Sequence, residues 1–176
     1  VKDFLFPGGE VGIQLDSSNI QYNHTQTSFQ TIVARIQDSN DILRLLNVTD
    51  ALRRLNTLPI RLFMPYVPYS RQDRACNEGE AFSLGVFANL INSQKYASVT
   101  ICDPHSDVSP ALFHNVKVIS NLEIIGEFEQ LRRAIGQPDT IFISPDAGAN
   151  KKTSVLAKEA GHKEFIRADK LRDLST

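Results

Sequence analysis

Two cysteines in 176 residues, Cys76 and Cys102, stand without CxxC spacing, which excludes a disulfide framework or a structural zinc site and points to a reducing cytoplasm. No uninterrupted apolar run nears the ~18 residues needed to cross a bilayer, and the opening VKDFLFPGGE lacks the basic-then-apolar layout of a signal peptide. A soluble protein is expected. Charge of one sign is also missing: 19 Lys and Arg against 20 Asp and Glu leave a net charge of −1. Neither nucleic acid nor an anionic membrane is therefore an expected partner, and any phosphate binding must be local. Low-complexity linkers and repeats are absent. The chain opens at Val1 with no Met and closes in the polar stretch ADKLRDLST, as expected of part of a longer protein. What is present is a globular composition, 41% hydrophobic.

Short β-branched runs alternate with amphipathic stretches, the pattern of α/β layering with a largely parallel sheet. Strands are predicted over Val11–Leu15, Gln30–Ile36, Pro59–Pro65, Ser98–Cys102, Val116–Ile119, Thr140–Ser144 and Glu164–Arg167. Between Asn40 and Leu55, apolar residues recur at helical spacing with Ser39 or Asn40 as N-cap and Arg53 and Arg54 near the end. Glu80–Asn92, Leu122–Ile135 and Gly148–Ala160 read as helices too, the last closed by Gly161. The best boundary falls at Ser120–Asn121, after which the strand, turn and helix grammar begins again. Two tripeptides, Asn23-His24-Thr25 and Asn47-Val48-Thr49, fit the glycosylation pattern, but matches this short decide nothing.

Three loops carry chemistry. Pro65-Tyr66-Val67-Pro68-Tyr69-Ser70-Arg71-Gln72-Asp73-Arg74 follows a strand and precedes a helix, so it sits at the carboxyl edge of the sheet, where open α/β proteins place ligands. Its prolines pre-shape the backbone, and Arg forks suit phosphate oxygens; the same loop also suits a solvated turn with a structural Arg–Asp pair. Cys102-Asp103-Pro104-His105-Ser106-Asp107 ends the next strand, and a histidine beside carboxylates there serves as metal ligand, acid or base, or cap. In Ser144-Pro145-Asp146-Ala147-Gly148-Ala149-Asn150-Lys151-Lys152, small residues let the backbone approach a ligand, Asp146 suits Mg2+ and a lysine suits phosphate. The segment is neither a P-loop nor GxGxxG.

Taken in order and spacing, FPGGE (6–10), Asn40-Asp41, DALRR (50–54), PYVPYSRQDR, CDPHSD, SPDAGANKK and Asp169-Lys170-Leu171-Arg172 resemble the ribose-phosphate pyrophosphokinases, and the resemblance spans nearly the whole chain. It implies α/β, phosphoribosyltransferase-like parallel-sheet layers. Residues 1–120 would be an ATP-binding domain lacking its first strand and helix, and residues 121–176 the start of a second, similar domain lacking the ribose 5-phosphate loop. By the same resemblance, Phe6 and Glu10 serve an ATP site shared with a neighbouring subunit, which implies a homo-oligomer, dimer or hexamer. Arg71 and Gln72 contact ATP with Arg74 close by, His105 and Asp146 hold Mg2+, and Lys170 and Arg172 are catalytic groups on a mobile loop.

Three positions depart from the family pattern: Gly8 stands for an aspartate, Pro104 for a leucine and Leu171 for an arginine. The implied reaction moves the pyrophosphoryl group of ATP to the C1 hydroxyl of ribose 5-phosphate, releasing AMP, a transfer that depends on positioning and charge neutralisation. The fragment alone is expected to be inactive. Two other readings are a non-catalytic regulatory homologue, which the retained Lys170, Arg172, His105 and Asp146 argue against, and a nucleotide-binding module or phosphoribosyltransferase-type protein, which would not need the RQDR loop.

Overall fold

A computed structural model of the chain describes residues 1–16, 29–55 and 58–168. The chain divides into two compact units, Val1–Ile119 and Ser120–Thr176. The first unit opens with β1 (Lys2–Leu5) and β2 (Val11–Gln14), an antiparallel hairpin. It continues through β3 (Gln30–Val33), α1 (Ser39–Leu55), β4 (Ile60–Met64), α2 (Ser83–Ser93), β5 (Ser98–Cys102), α3 (Val108–Leu112) and β6 (Val116–Ile119). β3 to β6 form one parallel sheet in chain order.

The pleat of that sheet sorts its side chains. Ile60, Leu62 and Met64 on β4 and Val99 and Ile101 on β5 are buried, while Arg61 between them is exposed, so alternate residues face a core on one side. Leu45 of α1 and Leu84, Phe87, Ala88 and Ile91 of α2 complete that core. Arg61 sits over the Phe29 ring, 3.3 Å from its centroid. At the back of the core Thr49 donates to the Leu45 carbonyl at 2.7 Å and lies 2.6 Å from the Tyr96 hydroxyl. Because the threonine proton is committed to Leu45, the tyrosine O–H is the donor in that pair. Burial pushes the phenol pKa up, which keeps this donor protonated.

Local chemistry moved several boundaries from their predicted places. β1 was not predicted, because its four residues are all exposed and show no alternation. The cap of α1 is neither Ser39 nor Asn40: the Asp38 carboxylate accepts the Asp41 N–H at 2.9 Å, and Asp41 in turn accepts the Gln37 N–H at 2.8 Å. α2 begins at Ser83 and not at Glu80, because the Glu80 carboxylate takes the N–H groups of Cys76 and Asn77 at 2.7 and 3.0 Å and closes the loop before the helix. Asn47 donates its side-chain amide to the Val11 carbonyl at 2.9 Å and Thr49 is fully buried, so the Asn47-Val48-Thr49 tripeptide is occupied by packing. Asn23-His24-Thr25 lies outside the described residues.

The second unit runs α4 (Asn121–Gly126), α5 (Glu129–Ile135), β7 (Ile143–Ser144), a 3-10 turn (Ala147–Ala149), α6 (Asn150–Glu159) and β8 (Ile166–Arg167). The helix predicted over Leu122–Ile135 is two short ones, and the strands predicted over Thr140–Ser144 and Glu164–Arg167 pair in parallel over two residues each. α4 starts in a capping box, in which Ser120 takes the Glu123 N–H and Glu123 takes the Ser120 N–H. α6 ends in a Schellman motif: Gly161 at φ +89 lets His162 donate to the Ala157 carbonyl at 2.8 Å and Gly161 to that of Lys158 at 3.0 Å. No helix among the described residues is long and apolar enough to cross a membrane.

Thr49→Val is expected to cost about 1–3 kcal/mol, because it leaves the buried Tyr96 hydroxyl without its acceptor. Urea unfolding checks this, and adding Tyr96→Phe to the same chain should recover part of the loss.

Candidate active site

β4 and β5 pair in parallel with Met64 opposite Ile101, so the segments that follow them leave the sheet side by side at its carboxyl edge. After β4, Gln72 donates its N–H to the Tyr69 carbonyl at 2.8 Å, and its own carbonyl receives the Leu84 N–H at 3.3 Å. Tyr69 sits at φ +60, and Asp103, just past β5, at φ +37. Both are left-handed conformations that cost L-residues of order 1 kcal/mol, and such strain clusters at functional edges.

A side-chain hydrogen bond joins the two loops. Ser106 donates its hydroxyl to Asp73 Oδ2 at 2.7 Å, and the Arg74 guanidinium approaches Asp73 Oδ1 at 3.3 Å. The Ser106 hydrogen bond, helped by the charges of Arg74 and His105, holds the Asp73 carboxyl below the usual carboxylate range. Asp73 is therefore an anion on an inward-facing side chain, 9% exposed, whereas Arg74 is 77% exposed. Arg71, Gln72 and His105 are all exposed, and none hydrogen-bonds a described residue through its side chain. Beside the first loop a cleft of about 360 Å³ lies between the start of α1, with Gln37 and Ser39, and Tyr66, Pro68 and Tyr69.

Phe6 and Glu10 occupy the tip of the β1–β2 hairpin, which is tied to α1 by the Asp3–Arg44 ion pair at 3.1 Å and the Asn47–Val11 hydrogen bond. The turn closes through Gly9 N–H to the Phe6 carbonyl at 2.8 Å, with Gly9 at φ +90, and Phe6 stays 52% exposed, edge-on to Phe4 at 5.1 Å. The Glu10 carboxylate lies over Gly8: a Cβ there would stand 2.6 Å from Glu10 Oε2. An aspartate at position 8 would thus have to displace a like charge.

In the second unit, Ser144 is fully buried and donates its hydroxyl to the Asp146 carbonyl at 2.9 Å, folding the chain back after β7. Asp146 Oδ1 accepts the Ala149 N–H at 3.0 Å, while its Oδ2 takes no hydrogen bond from a described residue. Lys170 and Arg172 lie outside the described residues. Among the described residues no group of three or more His, Cys, Asp or Glu side chains gathers to hold a metal. Within the second unit, the Asp146 carboxylate, with one oxygen held by the Ala149 N–H, is the kind of oxygen ligand that a hard cation such as Mg2+ takes; in the first unit the exposed His105 imidazole offers a nitrogen donor.

Residues 6–94 match the family model described as the N-terminal domain of ribose phosphate pyrophosphokinase. The chain belongs to the ribose-phosphate pyrophosphokinase family. Ribose-phosphate pyrophosphokinase 2 of Archaeoglobus fulgidus is 27% identical over 156 residues, covering 89% of this chain and 49% of that protein. The ribose-phosphate pyrophosphokinase of Saccharolobus solfataricus is 25% identical across the whole chain and 58% of its own length. The crystal structure of phosphoribosylpyrophosphate synthetase from Mycobacterium smegmatis superposes with a TM-score of 0.74 at 20% identity, over 98% of this chain and 56% of that one, which establishes the shared α/β fold. The chain spans about half the length of the curated relatives it matches.

The motif reading of this family chain passed over Ser106, whose partner lies 33 positions away, and gave no role to the tyrosines that line the cleft. The repeated Pro-Tyr of PYVPY was the available signal for the latter. The start of α1, on the rim of that cleft, depends on ionised Asp41, whose pKa the Gln37 N–H, and then Arg44, lower. The stability this supplies is complete above about pH 4, the range of an unfolded aspartate, and is lost as pH falls through the lower folded value. Asp41→Asn should therefore be less stable than the unsubstituted chain at pH 7, with the gap narrowing as pH falls below the range of an unfolded aspartate, as read by denaturant midpoints.

Proposed function

We propose that this chain forms the ATP-holding part of an enzyme that transfers the pyrophosphoryl group of ATP to the anomeric hydroxyl of ribose 5-phosphate, giving phosphoribosyl pyrophosphate and AMP. The observation that carries the reading is the pair of loops joined at one sheet edge, offering the exposed side chains of Arg71, Gln72 and His105, none of which hydrogen-bonds a described residue. A guanidinium fork and a neutral amide suit phosphate oxygens and a nucleoside respectively. Family membership supports the same reaction.

In this scheme Arg71 and Gln72 hold ATP, and Arg74 adds positive charge nearby. The C1 hydroxyl of ribose 5-phosphate loses its proton and forms the new O–P bond at the β-phosphorus, while the bond from that phosphorus to the oxygen bridging to the α-phosphorus breaks and AMP departs. Lys170 and Arg172 neutralise the charge spread over the phosphoryl oxygens as it develops. His105 and Asp146 would be the residues that hold Mg2+, which would supply screening of phosphate charge. Phe6 and Glu10, exposed at the hairpin tip, serve ATP bound by a neighbouring copy, so the enzyme is a homo-oligomer. Its two free cysteines suit the cytoplasm.

Product analysis of the intact protein tests the assignment. AMP should form from ATP only with ribose 5-phosphate and Mg2+ present. ADP as the product would overturn the pyrophosphoryl transfer, and no turnover at all would favour a regulatory homologue. Lys170→Ala should lower kcat by roughly two orders of magnitude or more while KM for ATP changes far less, the signature of a group that acts in the transition state.

A further inference from the structure

Asp73 is the inward-facing acid of a loop whose neighbours Arg71, Gln72 and Arg74 are all exposed. Its partner is well defined. Ser106 Oγ accepts the Val108 N–H at 3.3 Å, at the start of α3, so its own proton is available to Asp73 Oδ2 at 2.7 Å. The other side-chain partner of Asp73, the Arg74 guanidinium, is 77% exposed, and an ion pair in that setting restrains little. Main-chain bonds hold the same loop to itself, through the Gln72 N–H and the Tyr69 carbonyl at 2.8 Å, and to α2, through the Leu84 N–H and the Gln72 carbonyl at 3.3 Å; neither of them reaches the loop that carries His105. A short bond to a charged acceptor is the stronger restraint.

We propose that Asp73 and Ser106 are positioning residues for ATP: their hydrogen bond latches the Arg71-Gln72 pair to the loop that carries His105, so that the two ligand-facing segments hold one relative geometry. The proposal rests on the reading of Arg71 and Gln72 as ATP contacts. Neither latch residue touches the nucleotide. Asp73 acts through the backbone of its neighbours, and Ser106 through Asp73 and the chain one residue past His105. Because a displacement near 1 Å of a positioning group can cost about a hundredfold, a latch between loops that no strand pairing joins has a direct effect on binding.

The test compares Ser106→Ala with Ser106→Thr in the intact protein, measuring KM for ATP, KM for ribose 5-phosphate, kcat and the thermal midpoint. Loss of a hydrogen bond to a charged group predicts a rise of about tenfold or more in KM for ATP in Ser106→Ala. KM for ribose 5-phosphate should change less than about twofold, within the range of innocuous substitutions. Ser106→Thr, which keeps the hydroxyl, should restore the ATP value. A purely structural serine would instead lower the thermal midpoint and leave KM for ATP unchanged, which would overturn the latch, as would Ser106→Thr behaving like Ser106→Ala. An unsubstituted protein that forms no AMP defeats the functional reading by itself, and amide exchange then decides the latch. Faster exchange across Arg71–Arg74 in Ser106→Ala supports it, and unchanged exchange rejects it.

Discussion

The in-register parallel pairing of β4 with β5 is the constraint on which the candidate site depends. With Leu62 opposite Val99 and Met64 opposite Ile101, the two strands end level, and the chain must leave both at the same edge. A shift of one residue would turn Leu62 and Met64, both fully buried, away from the core and replace them with Arg61 and Phe63. The hydrophobic demand of one face thus fixes the height at which Arg71 and His105 leave the sheet. Core packing and ligand geometry are set by the same register.

Strain and restraint alternate along that edge. Asp103 carries a left-handed backbone immediately beyond β5, and Tyr69 another in the loop after β4, conformations that only a stable framework can hold. The buried sheet face supplies that framework from below, and the Asp73–Ser106 hydrogen bond ties the loops above it. The second unit solves a similar problem locally. Ser144 closes on the Asp146 carbonyl, and Asp146 caps the following turn through Ala149, so one carboxylate oxygen is spent on holding the other in a defined place.

The hairpin tip shows how a departure from the family pattern is absorbed. Gly8 stands where an aspartate is expected, and the Glu10 carboxylate lies over the space a side chain at position 8 would fill. With Glu10 in this position the tip carries one acid. Phe6 keeps its exposed ring beside Phe4, so the aromatic surface and one negative charge of the tip persist without the second acid.

The amino-acid sequence by itself determined the α/β grammar, the four core strands and the three loops bearing Arg, His and Asp, because β-branched runs, turn residues and motif spacing are properties of neighbouring residues. Where a local signal was weak or shared, it misplaced the element. β1 has four exposed residues and no alternation; Glu80 looks like a good first-turn helix residue but is taken by the Cys76 and Asn77 amides; and the helix across Leu122–Ile135 breaks in two. The choice of Asp38 as the cap of α1 is local too, made by its bond to the Asp41 N–H, whereas tertiary structure alone decided that Tyr96 donates to Thr49 across 47 positions and that Asp73 meets Ser106 across 33. The last two are contacts between side chains on different elements, and no periodicity within either element encodes them. They exist only once parallel pairing has brought distant segments to one level and burial has removed water as a competing partner.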